Sequence, residues 1–115
     1  MKLAVLVAAA AVVLVPAAFA RTTVTKLVAT DGPGFTITLK KGTTKVKTLK
    51  PGTYTIKVQD KSNIHNFHLT GPGVNKKTTV GAVTTVTWKV TLKKGTYKYV
   101  CDPHATIMRG SFTVK

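Results

Sequence analysis

The sequence predicts an all-β domain, an antiparallel Greek-key β-sandwich of seven to eight strands. Three observations carry that expectation. Beyond residue 20, no window sustains the 3.6-residue apolar period of a helix. Short segments instead alternate β-branched or aromatic residues with polar ones, the period-2 pattern of a half-buried strand. Glycine-bearing turns separate these segments at close intervals, as sandwiches and barrels require.

Taken in order, the clearest strands are FTITL (35–39), YTIKV (54–58), TVTWKV (85–90), TYKYV (96–100) and SFTV (111–114). IHNFHL (64–69) fits the same pattern, while VTKLVA (24–29) and TKVKTL (44–49) are weaker. LKKGT (39–43), LKPGT (49–53) and LKKGTY (92–97) share a Lys-x-Gly turn. Their unequal spacing excludes a solenoid, and the pattern reads as equivalent sheet corners. DGPG (31–34) and TGPG (70–73) are further turns. Trp88 reads as a core or sheet-surface residue and not as an electron relay.

The amino terminus carries Lys2, an apolar run from Leu3 to Val15, and then PAAFA with small residues at Ala18 and Ala20. That is the pattern of an export signal cleaved after Ala20. An uncleaved anchor is the alternative, for which an apolar run broken by Pro16 is marginal. The expected organisation is a signal peptide over 1–20 and one domain over 21–115, located in the periplasm, outside the cell or at its surface. The chain has 18 Lys and Arg against three acidic residues, a formal charge of +15. Asp31, Asp60 and Asp102 are the acidic set, and glutamate does not occur. Such a surface favours anionic partners. The lysines are scattered, and charge without an aromatic–basic platform does not support nucleic-acid binding.

Cys101 is the single cysteine. Exported proteins use structural cysteines in pairs, so a lone one points to intermolecular pairing or to a reactive or metal-ligating thiol. It stands in VCDPHATIM (100–108) with His104 and Met108. Strand parity puts Tyr97, Tyr99 and Cys101 on one inward face, after which Asp102-Pro103 breaks the strand. A thiolate, an imidazole and a thioether share a softness suited to copper, and a plane of two imidazoles and a thiolate with a weak axial Met is the blue-copper arrangement. The second imidazole must come from His65 or His68. If Phe67 faces the core, parity turns His65 inward with it and His68 outward.

The His65-Asn66 pair followed by GTYKYVCDPHATIMRGSFTV (95–114) resembles the cupredoxins of the plastocyanin, pseudoazurin and amicyanin group, over roughly residues 33–115. The resemblance implies one copper ion held by His65, Cys101 and His104 with Met108 axial, and Asn66 bracing the ligand loop. It implies a one-electron carrier, monomeric and not an enzyme, with no small-molecule substrate. Electron exchange is expected at the edge of His104, through a patch of Pro103, Ala105 and Ile107 with Gly71 and Pro72 as neighbours. The family's aromatic residue before the ligand cysteine is here Val100, and its acidic docking surface is missing. The expected partner is therefore an acidic redox protein or an anionic cell-surface component.

Copper delivery or storage with the same ligands is the alternative reading. Zinc fits less well, since a thioether is a poor fourth ligand for it. Nucleophilic catalysis has no third orienting residue to support it.

Overall fold

The computed structural model describes Ala4, residues 8–12 and residues 23–115. Ten strands form in chain order: β1 Thr25–Asp31, β2 Ile37–Lys41, β3 Thr44–Lys45, β4 Thr48–Leu49, β5 Gly52–Asp60, β6 His68–Gly71, β7 Val74–Lys77, β8 Thr84–Leu92, β9 Gly95–Val100 and β10 Arg109–Val114. Apart from the six residues just named before position 23, the predicted export signal over 1–20, with its cleavage point after Ala20, lies outside the described residues. Among the described residues no helix is long and apolar enough to cross a membrane.

The strands make two five-stranded sheets, ordered β3-β2-β1-β5-β8 and β4-β10-β9-β6-β7. The all-β sandwich expected from alternation is what forms, with two differences of detail. The sheets are mixed, because β1 runs parallel to β5 and β4 parallel to β10. The segment 44–49 divides into the two-residue strands β3 and β4, so that it serves one sheet and then the other. Between them Val46 turns into the core and donates its N–H to the Leu39 carbonyl at 2.9 Å.

Alternation explains the faces. Along β9, Tyr97 and Tyr99 are buried while Thr96 and Lys98 are exposed. Along β5, Tyr54, Ile56, Val58 and Asp60 point inward. The interior is a column of aromatic rings flanked by aliphatics. Phe67 stacks on Tyr99 at 5.5 Å and Tyr97 on Phe112 at 5.2 Å, while Trp88 tilts against Phe67 from the other sheet at 6.2 Å. Burying one such ring contributes about 1.5–3 kcal/mol. Trp88 is half-buried at the core's margin.

IHNFHL departs from its predicted strand. β6 begins only at His68, and residues 64–67 enter it as a loop. His65, Asn66 and Phe67 are all buried, which alternation does not allow. The chain leaves the ladder here because the Phe67 N–H and C=O are both bonded to Thr78, to its Oγ1 at 2.9 Å and its N–H at 3.0 Å.

The strand directions place four loops at one end of the sandwich: 32–36, 61–67, 78–83 and 101–108. The Lys-Lys-Gly turn between β8 and β9 and the Pro72-Gly73 turn lie at the other end, where Tyr97 Oη accepts the Lys93 N–H and donates to the Pro72 carbonyl, both at 2.9 Å.

Gly110 is needed for close approach. A Cβ built there runs into the ring of Tyr99 on the neighbouring strand. Gly110→Ala should destabilise the domain by roughly 1–3 kcal/mol through overpacking. A thermal melt followed by circular dichroism should show the midpoint falling by about 4–8 °C for each kcal/mol; an unchanged midpoint would contradict this packing.

Candidate metal centre

β9 ends at Val100 and delivers Cys101, the next inward-facing residue after Tyr99, to the end of the sandwich, from which the chain returns as β10. Pro103 helps it turn. Having no N–H to place, it suits the start of the short 3-10 turn Asp102–His104. The loop is closed by its own backbone. Cys101 N–H donates to the Met108 carbonyl at 3.0 Å, His104 N–H to the Cys101 carbonyl at 3.0 Å, and Met108 N–H to the His104 carbonyl at 2.8 Å. Cys101 and Met108 are fully buried and His104 is half-buried.

His65 comes from the 61–67 loop and is also fully buried. Its Nδ1 lies 3.0 Å from His104 Nδ1 and 3.7 Å from Cys101 Sγ, and His104 Nδ1 lies 3.5 Å from the same sulfur. A point equidistant from the three donors is about 2 Å from each, the length of a metal–imidazole bond and slightly short of a metal–thiolate one. One N–H···N bond between the rings satisfies one pair of atoms. A single cation satisfies all three, and two imidazoles with a thiolate are soft donors of the kind copper takes. His65, Cys101 and His104 are the group of metal-ligating type that the structure brings together among the described residues.

The two loops are clamped by Asn66. Its Oδ1 accepts the Asp102 N–H at 2.8 Å, and its Nδ2 donates to Asp102 Oδ2 at 2.8 Å and to the Thr78 carbonyl at 3.2 Å. Asp102 also takes a 2.8 Å contact from His68 Nδ1, whose Nε2 reaches Asn75 Oδ1 at 2.7 Å. His68 thus faces away from the donor triangle and props the loop from outside. Partial burial alone would lower its pKa, but the bonds to Asp102 and Asn75 outweigh that and hold it above the ordinary imidazole value. Burial likewise opposes the charge on Asp102, and the bonds from His68 and Asn66 overcome it, leaving the carboxyl below its usual range.

Behind the site lies a carboxyl pair that sequence reasoning did not single out. Asp31 and Asp60 are partners in the parallel β1–β5 register, 0% and 2% exposed. Asp60 accepts from Thr78 Oγ1 at 3.0 Å and from the Ser62 N–H at 3.3 Å. Neither oxygen of Asp31 has a donor among the described residues. Burial first, and then the Asp60 carboxylate facing it, push the Asp31 pKa up to about 8. A proton kept on Asp31 removes what would otherwise be two buried charges facing each other.

Phe35 was also missed. It sits in the β1–β2 loop, 56% exposed, with its ring edge-on to both imidazoles, centroids 5.1 Å from His65 and 5.0 Å from His104. A lone Phe at the edge of a strand pattern gives no signal of such a contact; the DGPG turn before it was the available hint.

Pro103, Ala105 and Ile107 are exposed on the ligand loop beside His104. Gly71 and Pro72 do not join them, a correction to the sequence reading. β6 starts at His68, level with Val100, and runs away from the site, so Gly71 is about 10 Å further along and packs against Tyr97.

A β-sandwich whose end loops bring two imidazoles and a thiolate to one point defines a mononuclear copper-binding protein of the blue-copper kind. Residues 3–114 match the model of the cupredoxin-like domain, and the chain belongs to that family. Similar solved structures include reduced rusticyanin at 1.9 Å, 25% identical over 78% of this chain and 78% of that one, with a TM-score of 0.56. Rusticyanin from Thiobacillus ferrooxidans is 26% identical over 78% of this chain and 76% of that one, at a TM-score of 0.54. Reduced rusticyanin in solution is 25% identical over the same shares, also at 0.54. Rusticyanin is a copper protein. No curated protein sequence matches the chain.

The Asp31 shift has a definite sign. Between the ordinary value of 3.8 and about 8, the folded chain holds a proton that the unfolded chain releases, so rising pH favours unfolding. Denaturant titrations of the metal-free protein should show stability declining through this window. Asp31→Asn should flatten the decline, and equal slopes for the two proteins would refute the retained proton on Asp31.

Proposed function

We propose that this protein is an exported one-electron carrier. The observation that carries the reading is the triangle of buried His65 and Cys101 with half-buried His104, braced from two loops. Copper bound there supplies the Cu(I)/Cu(II) couple. The chain's own task is to hold the donors in one arrangement for both states, so that little has to move when an electron passes.

Met108 would be the fourth residue to hold copper in this reading, supplying a weak thioether donor. Its side chain is fully buried at the close of the ligand loop, pinned through its carbonyl to the Cys101 N–H and through its N–H to the His104 carbonyl. Asn66 supports the site by tying the loop of His65 to that of Cys101.

Electrons pass at the end of the sandwich where His104 is half-buried. Around it Pro103, Ala105 and Ile107 are exposed, with Phe35 against the imidazole. An apolar rim of this kind excludes water and allows close approach. Of the three acidic side chains, Asp31 and Asp60 are buried and Asp102 is engaged by His68. The remaining charge on the surface is that of lysine and arginine, which favours an acidic redox protein or an anionic cell-surface component as partner.

Copper delivery would call for an exposed, adaptable site. The burial of His65 and Cys101 and the rigid bonding of their loops favour retention instead.

Metal-free protein given Cu(II) should develop an intense visible band that ascorbate bleaches. Cys101→Ser should abolish it and His68→Ala should keep it. A colourless complex, or rapid loss of copper to a chelator, would favour delivery. Met108→Leu should retain copper with a changed reduction potential, and an unchanged potential would remove Met108 from the ligand set.

A further inference from the structure

Metal-bound histidines usually donate their second ring nitrogen to a carbonyl or carboxylate, which fixes the plane of the ring. His65 does not follow that rule. Its Nε2 is buried and has no hydrogen-bond partner among the described residues. The orientation of this imidazole must therefore come from packing. Two groups of the 32–36 loop contribute to it. The backbone of Gly32 closes on one edge: a Cβ there would stand 3.3 Å from His65 Cδ2 and 2.9 Å from Ser62 Cβ, and its φ of 71° suits glycine. Phe35 supplies the other contact, and its ring is also seated against the second imidazole.

The three rings form a closed set. Phe35 meets His65 at an interplanar angle of 68° and His104 at 87°, and the two imidazoles meet each other at 81°. Edge-to-face geometry is the arrangement aromatic quadrupoles prefer. The loop that carries Phe35 is tied at its base, where Gly32 N–H donates to the Thr36 carbonyl and Lys61 N–H to the Asp31 carbonyl, both at 2.9 Å. Phe35 is 56% exposed as a residue, yet its ring stands edge-on to the two donor-bearing side chains.

We propose that Phe35 is a positioning residue of the metal centre and its gate: it sets the planes of His65 and His104 and bars small ligands from passing between them to Cys101. This rests on the metal-binding reading only for the ligands' purpose. The decisive test uses the metal-free chain and does not depend on copper uptake.

Cys101 is 0% exposed. Its alkylation by iodoacetamide in metal-free, natively folded protein reports passage to the donor triangle. Phe35→Ala should react about tenfold faster than the native protein, and Phe35→Tyr, which keeps the ring, should stay within about twofold. Circular dichroism and the thermal midpoint verify that each variant is folded. If Phe35→Ala is unfolded, Phe35→Leu takes its place, with a rate between those of native and Tyr on one side and full exposure on the other. Equal rates for native and the truncated variant would overturn the gate. So would equal acceleration by Ala and Tyr, which would show that any change loosens the loop. In the Cu(II) protein, azide should alter the visible spectrum of Phe35→Ala at concentrations that leave the native spectrum unchanged; equal sensitivity would count against the proposal. A chain that takes up no copper would defeat the proposed function, while the alkylation rates would still decide the role of Phe35.

Discussion

Two loops whose key residues stand 36 positions apart must be held in register for three donor atoms to meet, and the Asn66 side chain is what holds them. Its amide reads Asp102 from both sides, accepting from the backbone and donating to the carboxylate. A third bond to the Thr78 carbonyl ties the pair to the loop between β7 and β8. Because Asn66 is 1% exposed, losing these bonds would leave buried polar groups unpaired, at about 1–3 kcal/mol for each. Without that clamp the β6–β9 ladder would still set His68 opposite Val100, but the loops beyond it would lose the direct bonds that tie Cys101 and His104 to the loop of His65.

The clamp extends inward as a chain of polar contacts. Thr78 bonds the backbone of Phe67 and passes on to Asp60, which faces Asp31 across the β1–β5 ladder. A cost is accepted here, since a buried carboxyl pair is unfavourable unless it keeps a proton. The arrangement fixes the loop carrying His65 to both sheets at once. With Asp102 engaged at the site itself, the chain's carboxylates are all committed to the copper end, and the lysine-rich exterior is left almost uncompensated. Site rigidity and surface charge are two results of where three aspartates were placed.

Much of this was legible in the sequence, for identifiable reasons. Period-2 alternation in 54–58, 85–90 and 96–100 located β5, β8 and β9 because each has one face in the core. The inward run Tyr97, Tyr99, Cys101 followed from the same parity. His65 was reached through an assumed strand over 64–69, and it does point into the site, but residues 64–67 form a loop and Asn66 is buried beside it. Long-range bonds to Thr78 and Asp102 override the local period there, and no local pattern reports them. Gly71 and Pro72 were expected beside His104, but the direction of β6 carries them away from the site, and strand direction leaves no local trace in the sequence. β7 and the parallel pairings escaped notice because VNKK has only one buried position and pairing direction leaves no local trace. Phe35 and the Asp31–Asp60 pair depend on contacts between segments distant in sequence, which alternation does not encode.

The most direct test of the centre is copper K-edge X-ray absorption on the Cu(I) and Cu(II) forms of the loaded protein. The account predicts one sulfur near 2.2–2.3 Å and two nitrogens near 2.0 Å, roughly the lengths these donors adopt on metals of this size, with little change between oxidation states. A shell of nitrogen and oxygen alone, or one that rearranges by several tenths of an ångström on reduction, would contradict it.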